Sequence, residues 1–384
     1  MTADEPIGRT LARWRVRRRM TQQVLAARLG KSKSWVDKVE RGVRTLDRYS
    51  VIQEIAEVLR VDPAVLLGQR GPSPSPAAGT LDGVDEIRAA LARYDTPQAP
   101  AQGAEALRRH VGHAWLTFQH AHYAQVVRVL PGLLDAVRAT EAPELLVQAY
   151  RITSSVLVKL GEADLGWLAA DRAMAVAGDD PVLAATAAVS VGQALRASGR
   201  DRLALAATLA AASRLAPTGT PGEWAVRGTL LLQAALAAAG CGDTGRAEEL
   251  TDRAARIAAQ IRGYDDTHRT GFGPVAVDLA RVVVAVESGE AGEAVQRHAA
   301  VIRREAWRRL SAEYRGAYLV DAARAYLMVG DLRGAARALV DADSIAPAEV
   351  RCRPAARTVI AEVARGHPAP AGVARLATLV GLTR

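Results

Sequence analysis

The sequence predicts an all-α protein in two parts, a small basic N-terminal region followed by a long region of repeated helix pairs. Aromatic residues make up only 4% of the chain and Phe occurs twice, whereas hydrophobic residues reach 49%. A core of small aliphatic side chains favours closely packed helices over a β-sandwich, whose strands prefer β-branched and aromatic residues. Two further observations divide the chain: basic residues concentrate in the first part, and glycines recur at long, similar intervals in the second.

The positive charge is unevenly distributed. Residues 1–70 contain fifteen basic and eight acidic side chains and contribute +7 of the net charge of +9, so the remaining residues contribute +2. A basic region ahead of a nearly neutral one is typical of a module that binds a polyanion such as nucleic acid. The alternative is a general preference for arginine, because the chain has 46 Arg and four Lys.

The domain boundary is predicted from a Pro-rich segment. Residues 71–80 contain Pro72, Pro74 and Pro76 among Gly, Ser and Ala. Proline lacks the backbone donor of a helix and restricts the residue before it, so this segment is expected to be a semi-extended linker. The domains are therefore predicted to be residues 1–70 and 81–384.

Several classes of protein are excluded by composition. The two cysteines, Cys241 and Cys352, exclude a disulfide framework and a four-thiolate zinc site. No run of 18 apolar residues occurs, and the N-terminus does not resemble a signal peptide. The sequence therefore predicts a cytoplasmic protein with no membrane partner.

No cofactor, metal or catalytic residue is predicted. Four histidines cluster in the second part, at His110, His113, His120 and His122, but no acidic or Cys partner has ligand spacing. The chain contains no phosphate-binding loop, no nucleophile elbow and no coherent set of Ser, His and carboxylate. The sequence thus predicts that the protein is not an enzyme.

The N-terminal domain shows five short helical patterns over residues 7–67. An amphipathic helix is predicted over 7–18, and two shorter helices follow it closely. Two helices joined by about three residues with glycine in the turn form a helix-turn-helix motif. The predicted caps and stops are Thr21 and Gly30 for the helix 22–29, and Ser32 and Gly42 for the helix 33–41.

The motif resembles a known family. The stretch from Thr21 to Gly42, TQQVLAARLGKSKSWVDKVERG, is similar to the DNA-binding domain of phage-repressor-type regulators, the XRE family, and the likeness continues to Leu66. Its SWVDKVERG segment, followed by Asp47, resembles actinobacterial members. The resemblance implies a five-helix domain that binds a double-stranded DNA operator. Recognition helices of this type act in pairs on two half-sites, so a homodimer is expected.

The resemblance also implies roles for individual residues. Lys33, Ser34 and Lys38 match positions that read bases, and lysine can donate to guanine O6 or N7. Trp35 departs from the usual small residue and is expected to pack on a sugar-phosphate edge or on neighbouring arginine stems. Arg15 and Glu40 match a buried salt bridge of the family. The residues predicted to bind DNA are Gln22, Lys33, Ser34, Trp35, Lys38, Arg41 and Arg44, of which Gln22, Arg41 and Arg44 would contact the backbone.

The second part repeats a pair of helices with glycine at the elbow. An apolar-periodic stretch precedes each elbow and a helix of small residues follows it. A repeat of this layout is typical of an α-solenoid. Residues 120–123 mark an earlier, degenerate elbow, which makes about six pairs, and helices near 350–365 and 371–379 would cap them. The elbow glycines are Gly161, Gly199, Gly242, Gly289 and Gly330, with steps of 38, 43, 47 and 41 residues.

These units resemble tetratricopeptide repeats, most clearly in the acidic residue after the elbow glycine and in the alanines that follow. Their period departs from the 34 residues of that family. The combination of an XRE domain and such repeats resembles, in architecture, the peptide-pheromone sensors of the RRNPP group. The resemblance implies that the repeats dimerise and bind an effector, for which a peptide or a small molecule are the candidates.

Polar residues on the first helix of each pair are the candidate ligand contacts, because first helices tend to line the concave surface of such a solenoid. The alternative is that they are solvated or satisfy contacts between helices. Residues 265–274 form the longest polar break and are expected to be a loop at the mouth of this groove, either a gate or a structural connection. The candidate groove residues are Gln148, Arg151, Ser190, Gln193, Arg227, Gln233, Asp278 and Tyr314.

These features together predict a sequence-specific DNA-binding transcriptional regulator whose repeats dimerise and sense an effector. Two other functions remain open from sequence. One is a DNA-localised scaffold that docks a protein partner on its repeats, and the other is an antitoxin-like repressor whose repeats mask a toxin.

Overall fold

The computed structural model of the chain describes residues 7–18, 20–44, 49–59, 83–94, 103–140, 142–215, 220–261, 266–366 and 372–382. All regular elements in these ranges are helices, as the sequence predicts. Contacts divide the chain into two units, residues 1–78 and 79–384. The predicted linker 71–80 and the predicted fifth helix of the N-terminal domain lie outside the described residues.

The N-terminal unit contains the predicted helix-turn-helix motif. Thr21 Oγ1 accepts a hydrogen bond from the Val24 N–H (3.2 Å), and Ser32 Oγ accepts one from the Trp35 N–H (3.1 Å), so both caps are confirmed. Gly30 and Gly42 have φ of 62° and 73° and end the two helices. The helices are α1 (Ile7–Arg17), α2 (Gln22–Arg28), α3 (Lys33–Glu40) and α4 (Tyr49–Leu59).

The core of this unit is small and aliphatic. Leu11, Leu25, Val36 and Ile55 are each at most 1% exposed and pack together. Gly8 lets α1 approach α3, because a Cβ at this position would lie 2.0 Å from the carbonyl oxygen of Val39. This packing holds the face of α3 that carries Val36 and Val39 against the core and leaves the opposite face exposed.

In its described residues, the second unit contains six helix pairs and flanking helices, as predicted. A helix near 350–365 was expected, but Pro354 begins a new helix there, so the segment forms two helices. The six pairs are α6 (Ala104–Gln119) with α7 (Tyr123–Arg138), α8 (Pro143–Lys159) with α9 (Ala163–Ala177), α10 (Pro181–Ala197) with α11 (Asp201–Arg214), α12 (Pro221–Gly240) with α13 (Thr244–Gln260), α14 (Pro274–Glu287) with α15 (Ala291–Val301), and α17 (Ala312–Met328) with α18 (Leu332–Ile345). The flanking helices are α5 (Val84–Ala92), α16 (Glu305–Arg309), α19 (Pro347–Arg351), α20 (Pro354–Ala364) and α21 (Val373–Leu379).

All six elbows share one backbone conformation. The five elbow glycines have φ between 70° and 86°, and Ala121 takes the same left-handed region at 59°. At Gly161 the N–H donates to Val158 O and the next N–H donates to Leu157 O, at 3.2 and 2.9 Å. Ala121 and its successor repeat this pattern, which is the one that commonly ends helices. The degenerate first elbow is therefore confirmed.

The first helices of the pairs form a continuous inner row. Each contacts the next, from α6 through α8, α10, α12 and α14 to α17. The second helices α7, α9, α11, α13 and α15 each pack between two first helices, whereas α18 packs between α17 and the C-terminal flanking helices. Helix α17 also contacts α6, so the row returns to its start. Small residues permit the close packing: a Cβ on Gly192 of α10 would lie 2.4 Å from Thr208 of α11.

Candidate nucleic-acid interface and inner surface of the repeats

The recognition helix α3 is held in place by a cluster of charge-assisted hydrogen bonds. Arg15 of α1 donates to both carboxylate oxygens of Glu40, with Nε–Oε1 at 2.6 Å and Nη2–Oε2 at 3.0 Å. It also donates to the carbonyl oxygen of Met20 (2.7 Å), and Gln22 Nε2 donates to Glu40 Oε2 (2.8 Å). Bidentate pairs of this kind add geometric specificity. The expected Arg15–Glu40 bridge thus joins α1, α2 and the C-terminal end of α3.

The outer face of α3 carries the predicted base-reading residues. Lys33, Ser34 and Lys38 are all exposed, and Ser34 and Lys38 are one helical turn apart. Among the described residues neither lysine forms an ion pair. Their ammonium groups are consequently available to base edges or phosphates.

The other predicted DNA-binding residues already have partners in the protein. Gln22 uses one amide hydrogen on Glu40. Trp35 is half-buried against the domain core, and the Arg44 guanidinium lies 5.9 Å from its ring centroid. Arg41 forms an ion pair with Asp37 one turn earlier on α3. Trp35 therefore contacts a neighbouring arginine, through its guanidinium, and packing on a sugar-phosphate edge stays a prediction.

The eight candidate groove residues all lie on first helices, the inner row. Ser190 is buried at 2% exposure, and Gln233 Oε1 accepts a hydrogen bond from Arg196 Nη1 (3.1 Å). Asp278 forms ion pairs with Arg281 and Arg304. Burial raises the pKa of Tyr314 well above its usual value. Gln148, Gln193 and Arg227 are half-buried. Their role as ligand contacts remains a prediction.

Arg151 is the most unusual of these candidates. It is 3% exposed, its guanidinium lies 5.3 Å from the ring centroid of Trp115, and Nη2 donates to the carbonyl oxygen of His268 (2.9 Å). Nε has no hydrogen-bond partner, and Arg151 forms no ion pair within the described ranges. Burial lowers the pKa of Arg151 to about 10, although nearby Asp266 opposes the shift. The direct contacts of this buried cation are therefore a neutral carbonyl and a ring, and Asp266 stabilises its charge without forming an ion pair.

The carbonyl that Arg151 binds belongs to the predicted groove-mouth loop. Asp266 organises the described part of this loop: its carboxylate accepts hydrogen bonds from the N–H groups of Thr270 (2.8 Å) and Gly271 (2.7 Å). Arg269 and Gly271 have φ of 54° and 62°, in the left-handed region. The result is a compact turn before α14.

A second charged cluster lies where the inner row closes, and it was not predicted from sequence. Lys159 Nζ lies 2.5 Å from Glu313 Oε1 and 2.8 Å from Glu349 Oε1. Glu349 is completely buried, accepts a hydrogen bond from the hydroxyl of Tyr123, and lies 3.5 Å from Arg353. The cluster joins α7 and α8 to α17, α19 and α20. Its one sequence signal is that Lys159 is the only lysine outside the N-terminal domain.

The charges of this cluster keep one another ionised. Burial alone would lower the pKa of Lys159, but Glu313 and Glu349 outweigh it and raise the pKa. Burial alone would raise the pKa of Glu349, but Lys159 and then Arg353 hold it below its usual range. Burial and the neighbouring Glu349 both raise the pKa of Tyr123, so its hydroxyl stays protonated and donates.

A buried histidine lies apart from both clusters. His298 of α15 is 4% exposed, and its Nδ1 lies 3.0 Å from the hydroxyl oxygen of Tyr318. Burial lowers the pKa of His298 to about 4, so the ring is neutral near pH 7.

The N-terminal part of the chain is similar to a known family of domains. Residues 6–67 match the family model of a helix-turn-helix domain. No curated protein matches the chain. Among solved structures, Bacillus thuringiensis PlcR in complex with the peptide PapR7 and DNA is similar at 13% sequence identity and a TM-score of 0.40, over 77% of this chain and 94% of that chain. The family match places a helix-turn-helix domain at residues 6–67, and the helical repeats follow it in the chain. No helix among the described residues is long and apolar enough to cross a membrane.

Proposed function

We propose that this chain is a cytoplasmic, sequence-specific DNA-binding transcriptional regulator whose repeats dimerise and bind an effector. The observation that carries the proposal is the exposed face of α3, where Lys33, Ser34 and Lys38 project from a helix braced by Arg15 and Glu40. A recognition helix places the side chains of its N-terminal part in the major groove, and lysine there can donate to guanine.

A peptide is the effector that the inner surface suits best. Arg151 already binds a main-chain carbonyl at 2.9 Å, which is the group that a peptide offers at every residue. Other hydrogen-bonding side chains, including Gln193 and Gln233, lie along the same row of helices. Effector binding would regulate DNA binding by favouring one spacing of the two recognition helices, because an effector acts only through different affinities for two states.

The first experiment maps the sites that the protein binds across its genome and measures affinity for the operator so identified. Neutralising about 6–10 phosphates per dimer should make log K fall by roughly 5–9 units per tenfold increase in salt. Size measurement on the complex would show two protomers per operator. An affinity that does not change with salt would exclude DNA as the partner.

A second experiment separates an effector from a protein partner. Thermal unfolding is followed with pools of short synthetic peptides and with culture extract, since a ligand in excess of its Kd raises the melting temperature. Stabilisation only by a co-purifying protein would instead favour the scaffold, and stabilisation by the product of a neighbouring gene would favour the antitoxin-like repressor.

A further inference from the structure

The turn between α13 and α14 contacts three inner helices that are not neighbours in the row. Its His268 carbonyl receives the hydrogen bond from Arg151 of α8, 117 residues away in sequence. Its Phe272 ring packs on α12, where a Cβ on Gly228 would lie 2.1 Å from the ring. Its Gly271 faces the ring of Tyr314 on α17, 3.7 Å from the position of a Cβ. Residues 266–272 therefore lie across the inner surface.

The turn is anchored at both of its ends. Phe272 is 7% exposed, and its ring packs so closely on α12 at Gly228 that a Cβ there would clash with it. Nearer its other end, buried Arg151 forms no ion pair among the described residues and donates to the His268 carbonyl, with Asp266 of the same turn close enough to stabilise its charge. A buried guanidinium without a partner is costly in free energy. The turn therefore compensates the charge of Arg151, which the helices alone do not compensate.

The turn also holds an unfavourable backbone conformation. Arg269 has φ of 54°, a region that residues other than glycine rarely adopt. Such conformations persist only where surrounding contacts impose them, and they concentrate at clamps and switches. Here those contacts are the hydrogen bonds to Asp266 and the anchors at His268 and Phe272.

We propose that residues 266–272 are a built-in occupant of the inner surface, which the effector must displace from Arg151. This inference rests on the proposed function and specifies the effector more closely. The competing ligand is a peptide that offers Arg151 a main-chain carbonyl and places an aromatic side chain against Gly228. The spacing in the turn, from His268 to Phe272, sets that aromatic residue four positions after the carbonyl.

The anchor at Arg151 is tested by limited trypsin digestion of the full chain, followed at the bond after Arg269. Arg151→Ala should raise the cleavage rate there at least fivefold, because the turn is released. Arg196→Ala is the matched control, since Arg196 also lies on an inner helix and donates to a neutral partner, Gln233. Its cleavage at Arg269 should change less than twofold. Equal rates in wild type and Arg151→Ala, with both proteins folded by circular dichroism, would contradict the proposal.

The ligand-like character of the turn is tested with the synthetic peptide Asp-Thr-His-Arg-Thr-Gly-Phe-Gly. A variant in which glycine and serine replace residues 266–272 should bind this peptide at least tenfold more tightly than wild type, by calorimetry. The same peptide with Ala in place of Phe should bind at least tenfold less tightly, and Arg151→Ala in the opened variant should weaken binding similarly.

Absence of binding to a folded opened variant, or equal binding to wild type, would overturn the inference. Neither assay contains DNA, so their failure would leave the DNA-binding proposal standing, and loss of operator binding would leave these results standing.

Discussion

The four lysines of the chain show how differently its two regions use charge. Lys31, Lys33 and Lys38 lie in the helix-turn-helix, are exposed, and form no ion pair within the part that the structure describes. Lys159 lies in the repeats, 14% exposed, between Glu313 and Glu349. An exposed ammonium group costs little free energy to maintain and stays available to a partner, whereas a buried one requires compensation inside the fold. The N-terminal domain keeps its lysines exposed, whereas the repeats hold theirs in the ion-pair cluster that closes the inner row.

The largest effect is expected from a substitution in the charged cluster that closes the inner row. Glu349→Gln leaves Lys159 and Arg353 short of an anion in a buried site and should cost about 3–5 kcal/mol of the free energy of unfolding. Urea denaturation of the full chain measures it. The double variant Lys159→Met with Glu349→Leu should be less destabilised than either single variant, because both members of the buried pair are removed together. The charges that then lose a partner, Glu313 and Arg353, have side chains 14% and 25% exposed to solvent. Equal losses in the single and double variants would show that the pairing itself contributes little.

The next largest effect concerns the stability contributed by a buried group that has no ionic partner, His298. His298 has a pKa of about 4 in the folded state, against about 6.5 when unfolded, so protonation favours unfolding. Stability should be highest above pH 6.5 and fall by about 3 kcal/mol as the pH is lowered to 4. In His298→Gln, denaturation curves across this range should lose most of the slope between pH 6.5 and 4.5. A slope as steep as that of wild type would assign the acid sensitivity to other groups.

The recognition lysines should affect binding and leave stability unchanged. Lys33→Ala or Lys38→Ala should each weaken operator binding by about 1–3 kcal/mol, measured by fluorescence anisotropy at fixed salt. Arg28→Ala is the control, because Arg28 is exposed at the end of α2 and its substitution removes one positive charge, as the lysine variants do. If all three variants lost the same affinity, the lysines would act through net charge rather than through base contacts.

The smallest effect concerns an exposed ion pair in the repeats. Arg309 and Glu305 are paired at 2.7 Å on α16, but their side chains are 74% and 79% exposed. Arg309→Ala should therefore change the free energy of unfolding by less than about 0.5 kcal/mol, because solvent screens such pairs. A thermal-melt comparison with Glu349→Gln makes the contrast direct: the two pairs have similar distances and differ in burial.

The features that the sequence predicted correctly are encoded locally. The caps Thr21 and Ser32 and the elbow glycines form hydrogen bonds or turns with residues only a few positions away. The local sequence pattern is therefore enough to predict them. The first elbow is predicted as well, although Ala121 stands at the position where the other elbows have glycine. The eight groove candidates lie on inner helices because the apolar periodicity of the sequence predicts the first helix of each pair.

The features that sequence reasoning missed depend on the curvature of the whole row. Tyr123 and Glu349 meet across 226 residues, and nothing near either residue indicates the other. The partner of Arg151 is a main-chain carbonyl, a group that every residue carries, so no side chain identifies it. Which polar groups of the inner surface are already occupied is therefore a property of the tertiary structure.

The distance along the chain between Tyr123 and Glu349 has a consequence during synthesis. A ribosome adds about 5–20 residues per second, so the 226 residues that separate the pair require roughly 10–45 s. From the synthesis of Lys159 until Glu313 is added, the early repeats carry this lysine without either of its carboxylates. The contacts that close the inner row can therefore form only after residues 313 and 349 have been synthesised, so this part of the fold is completed after translation of the repeats that it joins.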